Sequence, residues 1–238
     1  MINYLKRKLE VKTLEVFIDS SLHEVIPDLK IGVIQYDNIT VGDSPQMLKG
    51  RLQLFQESAY FELENKNVTD YEEIREWRSI FKKLGKDPNR YRHSAEALYR
   101  RVKKQNYLSS MNSATDLNNF FSMEYRIPLG IYDSEHIKGN VMLRTGEPEE
   151  FYEGLNGRKN NAENLLVTAD NDGPFGSPFV DSTRTAVTSK TTSALQIVYL
   201  SPKIELHNAE KLVESLASMF THVNGGNAQT SILSRAMI

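Results

Sequence analysis

The sequence predicts an α+β fold, and three observations carry that expectation. Apolar residues recur at three- and four-residue spacing through the first half of the chain. Short β-rich runs broken by glycines fill 112–202, and one more amphipathic stripe returns near the end. Helices and strands that segregate in this way, instead of alternating, argue against a doubly wound sheet. With 238 residues, 39% of them hydrophobic and 25% charged, the chain can bury a sizeable core.

The elements follow in order. Residues 14–18 and 31–36 are short apolar, β-branched runs expected as strands. Ser44 as N-cap with Pro45 in the first helical position opens a helix over 45–63, whose stripe is Leu48, Leu52, Phe55, Ala59 and Leu63. Asp70 and Glu73 have capping-box spacing and start a second helix; Ile74, Trp77, Phe81 and Leu84 form its face, and Gly85 and Pro88 stop it. Ser94 is the expected N-cap of a third helix carrying Ala95, Leu98, Tyr99 and Val102. The best later strands are 141–144, 165–168 and 195–200, with the Gly173–Gly176 stretch and the two residues after it read as a tight connection between strands. A closing helix spans 209–222, Gly225 and Gly226 end it, and the polar tail 227–238 is expected to fray. No Gly/Ser/Pro-rich linker divides the chain, so 1–238 reads as a single domain: strands and helices over 1–74, a core over 75–205, and helix plus tail over 206–238.

Several chemistries lose their signals. Zero cysteines exclude disulfides, thiolate metal sites and cysteine nucleophiles. The five histidines show no metal-ligand spacing, so no metal or other cofactor is expected. Phosphate-cradling glycine motifs and a nucleophile elbow are missing as well. No apolar run is long enough for a membrane span and residues 1–12 hold no signal-peptide core, so the expected location is cytoplasmic. Charge is uneven. Between Lys82 and Lys104 nine Lys/Arg face two acids, whereas Glu57 to Glu76 holds seven acids and two bases. Arg100, Arg101, Lys103 and Lys104, with Arg90 and Arg92, suit a phosphate-backbone contact surface; they equally suit a solvated face balanced by the acidic helix before it.

Residues 115–133 resemble a known motif. Asp116, Asn119, Glu124, Pro128, Leu129, Tyr132 and Asp133 fall in register with the centre of the B3/B4 domain, the tRNA-editing domain of the bacterial phenylalanyl-tRNA synthetase β subunit. Gly139, Arg144, Gly146 and Glu147 resemble its next strand, and 194–202 resembles a later one. The block from Asp87 to Val102 resembles freestanding proteins built on this domain, and the likeness covers about residues 75–205 without a synthetase core. It implies a B3/B4-type β-sandwich core flanked by helices and a trans-acting deacylase that hydrolyses a wrong amino acid from the 3′ end of tRNA. An aminoacyl ester is already activated, so such a reaction requires no metal and no strong nucleophile.

Carried over by position, Asn119 matches the family's pocket asparagine and is the candidate catalytic residue, orienting substrate or water; as a structural residue it would form an Asx-turn. The candidate substrate-binding set is Asn118, Pro128, Gly130, Gln196 and Gly176. Gly130 stands where the family has a pocket histidine, Asn118 where it has threonine, and Gln196 where a glutamate recognises a tyrosine hydroxyl. A charge-assisted hydrogen bond is worth about 1.5–3 kcal/mol against roughly 0.5–1.5 for a neutral one, so Gln196 implies a changed amino-acid specificity. With tRNA as the partner, Arg90, Arg92, Arg100, Arg101, Lys103 and Lys104 are the expected backbone contacts. Two other readings stay open: a non-catalytic tRNA- or RNA-binding module, and a small-molecule binder using the old amino-acid pocket.

Overall fold

The computed structural model describes residues 13–235; residues 1–12 and 236–238, which include the start read for a signal peptide and the end of the expected tail, lie outside it. Two four-stranded sheets form the centre. One is ordered β1 (Val16–Ile18), β4 (Val141–Thr145), β7 (Leu166–Asp170), β8 (Gly173–Gly176); the other is β10 (Asn227–Ser234), β2 (Lys30–Asp37), β9 (Ala194–Tyr199), β3 (Leu129–Asp133). Every neighbouring pair is antiparallel except β1 with β4. A separate hairpin pairs β5 (Phe151–Glu153) with β6 (Lys159–Asn161).

The sheets pack face to face. Tyr199 on β9 meets Thr168 on β7 through their hydroxyls at 2.8 Å, and the Tyr132 and Phe175 rings of β3 and β8 lie edge to face at 4.8 Å. Helices cover the outer face of the second sheet. On α6 (Leu206–Asn224), Phe220 stacks on Tyr36 of β2 at 4.0 Å, while α5 (Ser113–Tyr125) crosses β3. A continuous apolar core joins residues from Leu14 to Ile232. The fold is α+β, a sandwich flanked by helices.

The helical stripes form as their spacing predicts: after the short α1 (Ser20–Val25), Leu48, Leu52, Ala59 and Leu63 are buried on α2 (Gln46–Glu64), and Ile74, Trp77 and Phe81 on α3 (Glu72–Lys83). The caps differ. Pro45 occupies the N-cap of α2, and the Ser44 hydroxyl donates instead to buried Asp116 at 2.6 Å. Asp70 closes a 3-10 turn, accepting from the Asn67 N–H at 2.8 Å, so α3 starts two residues later. His93, not Ser94, caps α4 (Ser94–Lys103); the Ser94 N–H donates to the Pro178 carbonyl at 2.7 Å.

Three elements correct the sequence reading. Residues 113–125, placed in a strand-rich region, form α5. It is buried on almost every side, so its Leu117, Phe120, Phe121 stripe is obscured by inward polar residues. The stretch read as a tight connection contains strand β8, with the turn made at Gly173, where φ is 100°. The tail expected to fray forms β10, paired with β2 from Asn227 opposite Asp37 to Ser234 opposite Lys30. Gly225 and Gly226, at φ 69° and 76°, turn the chain back, and main-chain pairing then holds a strand too polar to signal itself.

Candidate functional site

Helix α5 carries the motif and pins it in place. The Asn112 side chain caps the helix, accepting from the Thr115 N–H at 2.8 Å, and Arg126 ends it in the left-handed region at φ 57°. Asp116 is buried and accepts from Ser44, Ser110 and the Met111 N–H, gathering the loop ahead of the helix. Asp133 plays the matching part at the end of β3, accepting from Thr191 at 2.6 Å and from the Glu135 N–H at 3.0 Å. These two motif carboxylates hold chain together.

The predicted pocket residues divide between the two faces of the second sheet. Gln196 lies opposite Ile131 and Gly130 opposite Ile197, so the side chain of Gln196 and the α-carbon face of Gly130 point to opposite sides. On the helix side Gln196 is buried and fully engaged: its amide donates to Asn118 Oδ1 at 2.9 Å, and its oxygen accepts the Tyr36 hydroxyl at 2.8 Å. Asn118 in turn donates to the Leu129 carbonyl at 3.3 Å. The hydroxyl that Gln196 recognises here is the protein's own. Asn119 sits mid-helix and half-buried rather than in an Asx-turn, and among the described residues its side chain makes no hydrogen bond. Pro128 is buried just ahead of β3, its carbonyl accepting from the Tyr199 N–H at 3.1 Å.

On the sandwich side Gly130 and Gly176 face one another across the Tyr132 ring. A Cβ at Gly130 would lie 2.0 Å from the Tyr132 hydroxyl oxygen, and one at Gly176 2.2 Å. At both positions the phenol occupies the space that a side chain would take. The Tyr132 hydroxyl donates to Asp181 Oδ1 at 2.8 Å, and the N–H groups of Ile131 and Ser177 also point at that carboxyl. Asp181 as a residue is half-buried, but its carboxyl is turned inward, and burial drives its pKa up to about 7 despite three donors. No motif signals Asp181; its only mark in the sequence is an acid set in an apolar, proline-rich loop.

This shift has a sign in stability. Between the ordinary carboxylate pKa of 3.8 and about 7, the folded state holds a proton that the unfolded chain releases. Stability therefore falls as pH rises through that window, and the loss is complete above it. Asp181→Asn, which mimics the protonated form, is expected to flatten the profile. Urea midpoints at pH 5 and pH 8 should show the parent losing roughly 1–3 kcal/mol relative to the variant; parallel profiles would exclude the carboxyl as the cause.

The cationic residues sit on α4 and the loop before it. Glu96 is fully buried and holds two guanidiniums: Arg78 at 2.9 Å and Arg100 at 2.8 Å. The Arg78 guanidinium also donates to the Pro88 carbonyl and to Asn89, which fixes the turn leading to Arg90 and Arg92. His93, driven down to a pKa of about 3 by burial, is neutral at pH 7 and accepts the Glu96 N–H. Arg90, Arg92, Arg101, Lys103 and Lys104 are exposed, and none has a carboxylate partner among the described residues. Lys103 donates instead to the Lys66 carbonyl, and Arg100 is occupied by Glu96. The acidic helices thus leave most of this surface unneutralised. Among the described residues no group of three or more His, Asp or Glu could hold a metal, and no helix is long and apolar enough to cross a membrane.

Residues 76–221 match the model of the B3/4 domain. The chain is 32% identical over 213 residues to the uncharacterized protein YhzB of Bacillus subtilis, covering 90% of this chain and 96% of that one. It is 32% identical over 68 residues to the phenylalanine–tRNA ligase β subunit of Paramagnetospirillum magneticum and 34% over 67 to that of Bartonella quintana, spanning 8% of either. Among solved structures, an N-terminal fragment of the phenylalanyl-tRNA synthetase β subunit from Pyrococcus horikoshii matches with a TM-score of 0.46 at 14% identity, over 91% of this chain and 50% of that one. The chain belongs to the B3/4 domain family, in a freestanding form that shares nearly the whole length of YhzB.

Proposed function

We propose that this protein binds tRNA, with Arg90, Arg92, Arg101, Lys103 and Lys104 as its backbone contacts. The observation behind this reading is the row of exposed cations on α4 and its flanking loops that no carboxylate among the described residues neutralises, ordered from beneath by Glu96. Phosphate neutralisation supplies most nucleic-acid affinity and makes it fall with salt. The variant that tests it is Arg101→Glu with Lys104→Glu, since Arg100 is bound to the buried Glu96 and its reversal would disturb the fold. Affinity for bulk tRNA is expected to drop about tenfold or more, with a shallower salt slope. Unchanged affinity and slope in a folded variant would refute the reading.

Hydrolysis of an aminoacyl-tRNA ester is the second reading, and one observation favours it. Asp181, with a pKa near neutrality, lies beside Gly130, the position of the family's pocket histidine. Such a carboxyl is suited to take a proton from water at pH 7. In this reading Tyr132 swings aside to admit the aminoacyl end between Gly130 and Gly176, while Asn118 and Gln196, on the other face of the sheet, hold α5, β3 and β9 in place behind it. Release of amino acid from a panel of correctly and wrongly charged tRNAs, abolished by Asp181→Asn, is the expected result; binding without release from any member leaves the protein a binding module.

A further inference from the structure

A cavity of about 410 Å³ opens between α2, α5 and α6, away from both the glycine-faced site and the cationic surface. Helical spacing assembles it: Phe121, Glu124 and Tyr125 line it from one face of α5, and Ser215, Ser218 and His222 from one face of α6. Arg51 reaches in from α2. Its guanidinium carbon lies 5.1 Å from the Phe120 ring centroid, and Nη1 lies 3.9 Å from the Met219 sulfur. A thioether is a weak acceptor, so the cation is positioned but not neutralised.

Glu124 is half-buried and makes no hydrogen bond or ion pair among the described residues. Burial raises its pKa while the Arg51 charge pulls it back, which places the two within electrostatic reach. The Phe121 and Tyr125 rings, stacked at 5.9 Å with an interplanar angle of 6°, add aromatic surface to the lining. An anion such as phosphate would suit Arg51 but be repelled by Glu124; a simple cation meets the reverse. A ligand carrying both charges, with an apolar body, satisfies all three walls.

We propose that this cavity binds a free α-amino acid, its carboxylate on Arg51, its ammonium on Glu124 and its side chain against Phe121. The planar guanidinium matches a carboxylate in bidentate fashion, and the volume falls within the roughly 300–1,000 Å³ range of small-molecule sites. The site is separate from the tRNA surface and does not depend on that reading.

Titration of the full chain with each standard L-amino acid, followed by calorimetry and amide chemical shifts, tests it. At least one apolar amino acid is expected to bind below about 10 mM. Arg51→Ala and Glu124→Gln should each weaken it about tenfold or more, while tRNA affinity stays unchanged. The N-acetyl and amide derivatives of the best ligand should bind more weakly than the parent, because each lacks one charge. Thermal melts of both variants establish folding; Arg51 is exposed and Gln keeps the shape of Glu, so the parent transition should persist. No binding at about 10 mM, equal affinity in the folded variants, or derivatives that bind as tightly as the free amino acid would each overturn the assignment.

Discussion

Replacing Glu96 with alanine is expected to cost about 3 kcal/mol or more of folding stability, seen as a lower urea midpoint at unchanged slope. The carboxylate side chain is 0% exposed, and its partner Arg78 is only 16% exposed. Truncation leaves the Arg78 guanidinium in a poorly hydrated pocket with the Pro88 carbonyl and Asn89 oxygen as its remaining acceptors. Neither carries a full negative charge. Glu96→Gln keeps the shape and should lose less, while Arg100→Ala, at a side chain 39% exposed, should cost under about 1 kcal/mol. Because the Arg78 fork also fixes the turn before Arg90 and Arg92, Glu96→Ala should weaken tRNA binding without touching an exposed cation. An alanine variant with the parent midpoint would remove Glu96 from this role.

The second large effect is expected at Gly130. A methyl group there overlaps the Tyr132 hydroxyl, which cannot retreat without releasing Asp181. Gly130→Ala should destabilise by about 1–3 kcal/mol, as overpacking generally does, and Gly176→Ala by a similar amount. The informative variant is the double one. Tyr132→Leu removes the atoms that clash, so Gly130→Ala with Tyr132→Leu should be less destabilised than the sum of the two single changes. Strict additivity in urea midpoints would mean that the ring and the glycine do not share the space. A histidine at 130 is excluded by the same contact as long as Tyr132 stays where it is.

Much of the helical half was legible because its stripes are single-faced. Ile74, Trp77 and Phe81 on α3, or Val213, Leu216 and Phe220 on α6, alternate with charges that face water, and that contrast is what periodicity detects. Helix α5 lacks the contrast, since Asp116, Asn118 and Ser122 are as buried as its leucine and phenylalanines. At the site, the motif correctly marks a dense polar region but not which residues share a face. Gly130 and Tyr132 belong together by the two-residue strand period, yet whether Gln196 joins them depends on the β3–β9 register, which only tertiary pairing sets. Glu96 reads as an ordinary first-turn acid; its burial depends on Arg78, eighteen positions earlier on another helix. Asp181 has no local signature at all, because its environment is assembled from β3, β8 and the loop between β8 and β9.

The pairing of β10 with β2 also orders events in time. Residues 30–37 are made long before 227–234, the segment that covers their outer edge. Until it arrives, β2, paired with β9 on one side only, presents the unsatisfied main-chain groups of every second residue along its other side, a template for pairing with any other extended segment. Contacts of such long sequence separation form slowly, so this edge is the part of the sandwich that stays exposed longest during synthesis. A chain interrupted before residue 227 would keep every helix yet carry a permanently sticky border, and its fate would be aggregation rather than partial activity.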